Sequence, residues 1–96
     1  MLIRVTQEDI EKGVRFKSSC CPLAIALSRA TERPAFVAFT SCYLVPEYEA
    51  GTFSIWGDAH GPDVKMLKLP PEARQFVDRF DSGDPVKPFE FELDLT

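Results

Sequence analysis

Cys20, Cys21, Cys42 and His60 have the widest chemical repertoire in this chain. Together they would make a soft donor set for zinc, which takes thiolate sulfur and imidazole nitrogen in a tetrahedron at about 2.0–2.3 Å. Adjacent cysteines are a poor version of the spaced pair that zinc sites use. The expectation is therefore no metal, with the thiols packed as small hydrophobes. A thiolate at Cys20 or Cys21 would gain from the positive end of a following helix, and His60 would be its base. His60, however, sits in Gly57-Asp58-Ala59-His60-Gly61-Pro62-Asp63, a loop by composition, and no third orienting group stands out. No catalytic residue is assigned and no cofactor is expected.

Two other groupings point to binding. Ser18 and Ser19 precede the same helix, with Arg15 and Lys17 close by. Together with the first backbone N–H groups they would suit an anion such as a nucleotide phosphate. Glu90, Glu92 and Asp94 alternate with apolar residues. On a strand they would share one face at a spacing of about 6.5–7 Å, suited to a basic partner or to imitating a run of phosphates. The bland alternative is the wet face of an antiparallel sheet, which also discourages edge pairing. Tyr43, Tyr48 and Trp56 are aromatics of the kind that anchor protein interfaces, although Trp56, beside Phe53 and Ile55, also suits a core.

The elements that position these groups are legible in order. Leu2 to Val5 reads as a strand. Thr6 then caps a short helix over Gln7–Lys12, with Asp9 completing a capping box and Gly13 at the C′ place. Arg15 to Ser19 is a polar connector. Pro22 at a first helical position and Cys21 as N-cap open a central helix that is apolar from Leu23 to Leu27 and ends before Pro34. Residues 35–40 are apolar on both faces and predict a central strand covered on two sides, with Cys42–Val45 either continuing it after a bend or forming the next strand. A hairpin is expected from Thr52 to Leu69. Pro70-Pro71 opens an amphipathic helix with Ala73, Phe76, Val77 and Phe80 on one face, and Gly83 and Pro85 end it. Phe89 to Leu95 alternates as a strand with Phe89, Phe91, Leu93 and Leu95 inward.

These elements predict a small α+β fold in one domain over residues 1–96. A mostly antiparallel sheet of four to five strands would pack on the buried central helix and the second, amphipathic one. No apolar run approaches the roughly 20 residues of a membrane span. The N-terminus lacks the apolar stretch of a secretory signal, and three cysteines are an odd number for a disulfide scaffold. Reduced thiols in a cytoplasm are the expectation. The net charge is -4, with six basic against four acidic side chains in residues 1–40 and five against eleven in residues 41–96. Such a balance argues against a nucleic-acid binder and leaves an acidic surface for a basic partner.

Thr6-Gln7-Glu8-Asp9-Ile10, Gly13, Cys21-Pro22-Leu23-Ala24-Ile25-Ala26-Leu27, Leu69-Pro70, Phe76, Phe80-Asp81-Ser82-Gly83 and Pro88-Phe89-Glu90-Phe91 carry a resemblance. In them the chain resembles a group of small proteins encoded by bacteriophages and prophages. What the resemblance implies is a phage product acting inside a bacterial cell by occupying a host protein. Restriction, CRISPR and cyclic-nucleotide immune systems and the transcription machinery are the classes of host target it suggests. The first expectation is thus a binding protein without catalysis, contacting its partner through Glu90, Glu92 and Asp94 with Tyr43, Tyr48 and Trp56 as anchors. The alternative is a homo-oligomeric sponge that binds a nucleotide signal through Arg15, Lys17, Ser18 and Ser19. A thiol- or zinc-dependent protein stands third.

Overall fold

Cys21 and Pro22 open the element on which the others pack. The computed structural model describes residues 1–38, 40–46 and 63–94. In it Cys21 is the N-cap of a helix, its sulfur accepting the Ala24 N–H at 3.4 Å. That helix runs Pro22–Thr31, buries Leu23, Ala24, Ala26 and Leu27, and stops where Glu32 turns left-handed at φ 57° two residues before Pro34. Around it the order is β1 (Leu2–Val5), α1 (Gln7–Lys12), α2 (Pro22–Thr31), β2 (Ala35–Val37), β3 (Ser41–Leu44), β4 (Lys65–Lys68), α3 (Pro71–Asp81) and β5 (Phe89–Glu92). The α+β class is as expected. Among the described residues the strand pairs are antiparallel, but the strands divide between two sheets, β1–β5 and β2–β3–β4.

The first sheet joins the two ends of the described chain. Leu2 lies opposite Glu92 and Val5 opposite Phe89, so Ile3, Val5 and Phe91 turn inward together. Phe89 stacks between Phe91 and Phe76 of α3, at centroid distances of 5.5 and 4.8 Å. The amphipathic helix is thereby tied to the terminal ribbon by aromatic contacts, which add to the area they bury.

The second sheet corrects the reading of residues 35–40 as one central strand. β2 ends at Val37, and the Ala38 N–H donates to Ser41 O at 2.8 Å, so the chain reverses and Cys42–Leu44 form the next strand. Among the described residues β3 is the middle strand and β2 an edge. The outward Val37 N–H donates to Ser18 O at 2.8 Å, so the connector before α2 partly covers that edge. The run is apolar because Ala35 and Val37 pack into the core while half-buried Phe36 faces the other way. Of the expected hairpin from 52 to 69 only the returning strand falls within the described residues, and it pairs with β3.

Gly13 also differs from expectation. α1 has its full capping box, with Thr6 and Asp9 exchanging hydrogen bonds. Yet Gly13 follows it in extended conformation at φ -67°, not left-handed. Its small size is needed for another reason: a Cβ there would lie 2.5 Å from Cγ and Cδ of Pro22. Gly83, in contrast, does take the left-handed conformation after α3, at φ 84°.

Candidate functional site

The acidic row is formed as its alternation requires. Phe91 and Leu93 are buried while Glu90, Glu92 and Asp94 are exposed on the opposite face of β5 and its continuation. Glu90 and Glu92 each meet a cation across the ribbon. Arg4 Nε donates to Glu90 Oε2 at 2.9 Å, and the N-terminal ammonium reaches Glu92 Oε2 at 3.3 Å. Both pairs stand in water, where each contributes little to stability. Their effect is to hold the carboxylates in place and to reduce the charge of this face.

The start of α2 is closed rather than open. Pro22 has no N–H, and the Ala24 N–H is directed at Cys21 Sγ. The sulfur thus occupies the position an anion would take. Burial pushes the Cys21 thiol up to about 11, against the pull of the Ala24 and Leu23 amides, and burial pushes Cys42 to about 11 as well. Neither is a thiolate near neutrality, and a protonated thiol is a poor nucleophile. Cys20 is half-buried with its sulfur 3.6 Å from Ser19 Oγ. Among the described residues no three His, Cys, Asp or Glu side chains are grouped to hold a metal. His60, Tyr48 and Trp56 lie outside the described residues, while Tyr43 is half-buried opposite Phe36 and Met66.

The Arg15 guanidinium lies 3.2 Å from where a Gly83 Cβ would be, at the C-terminal end of α3, where a cation suits the helix dipole. The loop that carries it is tightly closed: the Val14 N–H donates to Cys20 O at 2.8 Å and the Cys20 N–H to Lys17 O at 3.1 Å.

Comparison with protein-family models, curated proteins and solved structures found no match.

The same loop contains a residue that the sequence reading passed over within a polar connector. Phe16 is 81% exposed and stands at φ 61°, a region bulky side chains rarely adopt. Its N–H donates to Asp81 Oδ1 at 3.2 Å, which fixes the loop to α3. Beside it runs a groove of about 570 Å³ along α3, lined by Pro71, Arg74, Val77 and Asp78 among others. The signal in the sequence was an aromatic set between Arg15 and Lys17, where burial of the side-chain charges on both sides is costly. An ionic contact largely withdrawn from water lies elsewhere. Asp9, 2% exposed, accepts from Arg29 Nη1 at 2.6 Å and Nη2 at 2.8 Å, and Arg29 Nη2 also donates to Arg4 O. This fork ties α1, α2 and β1 together, with the Asp9 carboxylate almost wholly buried.

Proposed function

We propose that the protein is a small phage-encoded binding protein that occupies a host bacterial protein in the cytoplasm, in counter-defence. Its contact surface is the face of the β1–β5 ribbon that carries Glu90, Glu92 and Asp94. The observation that supports this is the cross-strand pairing. Arg4 and the N-terminal ammonium engage only the Oε2 atoms of Glu90 and Glu92, and each Oε1 accepts no hydrogen bond from the described residues. A carboxylate held in this way can still accept a lysine or arginine from a partner. The ribbon beneath is anchored by Phe91 and Leu93 in the core, so little order is lost on binding. A nucleotide sponge at the start of α2 would have to displace Cys21 Sγ from the Ala24 amide. The binding reading asks for no such rearrangement.

The test compares the wild type with the double variant Glu90→Lys, Glu92→Lys as baits in a bacterial host lysate, followed by affinity measurement on any partner retained. The expected outcome is a partner that the double variant binds at least about tenfold more weakly, with the thermal midpoint changed little because both side chains are exposed. Equal retention by both baits would remove this face from the contact. Absence of any partner under both conditions would overturn the binding reading.

A further inference from the structure

We infer that the groove along α3 and the projecting Phe16 form a self-complementary surface whose occupant is a second copy of this chain. The groove lies between two unlike ends. At one end Phe16 projects, its N–H fixed on Asp81. At the other is the apolar ring of Pro71, exposed at the start of α3. The ten residue steps from 71 to 81 span about 15 Å of helix.

A two-fold axis crossing α3 at the level of Phe76 exchanges these ends. It places Phe16 of each copy over Pro71 of the other, inside a groove that is open in the single chain. The same operation brings Arg74 of each copy opposite Asp78 of the other, because the two residues lie equally far from position 76. Both are exposed, and neither forms an ion pair with the described residues of its own chain. Charges one turn apart and opposite in sign are self-complementary only in an antiparallel pairing, which is the arrangement an isologous dimer has when its two-fold axis crosses the helix. The backbone at Phe16 is held at positive φ by its hydrogen bond to Asp81, so the point from which the ring projects is fixed before association, which reduces the ordering cost of docking. The surface is distinct from the β1–β5 face, so dimerisation and partner binding succeed or fail separately.

Sedimentation equilibrium from about 1 µM to about 1 mM reads this directly. The wild type is expected to pass from monomer to dimer within that range. Phe16→Ala should raise the dissociation constant at least about tenfold. Arg74→Asp and Asp78→Arg should each do the same by setting like charges opposite, and the doubly exchanged variant should return to within about threefold of the wild type. Far-UV circular dichroism confirms that each variant is folded. A wild type that stays monomeric to the highest concentration overturns the pairing. So does a dimer indifferent to Phe16→Ala, or one that the double exchange fails to restore.

Discussion

Asp9 is the residue whose chemistry is most constrained by the fold. It completes the capping box of α1 and accepts both nitrogens of Arg29, and it is almost wholly buried. The Arg29 guanidinium holds its carboxyl below the ordinary aspartate range, and the hydrogen bonds from Thr6 act in the same direction against the cost of burial. A depressed pKa in the folded state means that the unfolded chain binds the proton first. The stabilisation is then fully present above about pH 4 and is lost as pH falls through the lowered value. Asp9→Asn keeps the size and removes the charge. We expect it to cost about 1–2 kcal/mol near neutrality, read as a lower urea midpoint. The wild-type and variant curves should converge as the pH is taken from 6 to about 2.5. The capping box at Thr6 and Asp9 is visible in sequence because it depends on three-residue spacing. The fork to Arg29 is not, since it spans 20 residues and two helices.

At the scale of elements, the end of α1 comes close to the start of α2. Gly13 leaves no room for a side chain against Pro22. Gly13→Ala should therefore push the two helices apart and destabilise by about 1–3 kcal/mol. The urea midpoint should fall by roughly 1 M. Gly13 itself has φ -67°, so an unaltered midpoint would show that the helices shift without penalty. Sequence placed a glycine here for helix termination, yet its role is proximity. The hairpin of β2 and β3 teaches the same lesson: apolar residues on both sides of 35–40 were compatible with a central strand or with a reversal. Only the hydrogen bond from Ala38 to Ser41, and the Ser18 carbonyl on Val37, distinguish them.

For the whole molecule, the decisive contact is between the two ends of the described chain. β1 and β5 pair along four residues, and Phe91 from the last strand is 3% exposed in the same core as Ile3 and Leu23. Phe91→Ala would leave a cavity under the ribbon and loosen the stack through Phe89 to Phe76. The expected cost is about 3–5 kcal/mol, against a total of about 5–15 kcal/mol for a domain. In a thermal melt the midpoint should fall by roughly 15–25 °C. A fall of only a few degrees would show that the ribbon is peripheral to cooperative folding.

Local patterns were enough for the α+β class, the three helices, the alternation of the last strand and the Cys21–Pro22 helix start. Each rests on caps, prolines and periodicities of two or 3.6 residues, which act within one element. Tertiary structure alone decided which strands pair, that the described strands form two sheets, and that the Arg15 guanidinium lies beside Gly83 at the end of α3. It also decided that Phe16 projects beside a groove. These depend on contacts between residues far apart in the chain, where burial and hydrogen bonding are shared between elements and leave no spacing to read.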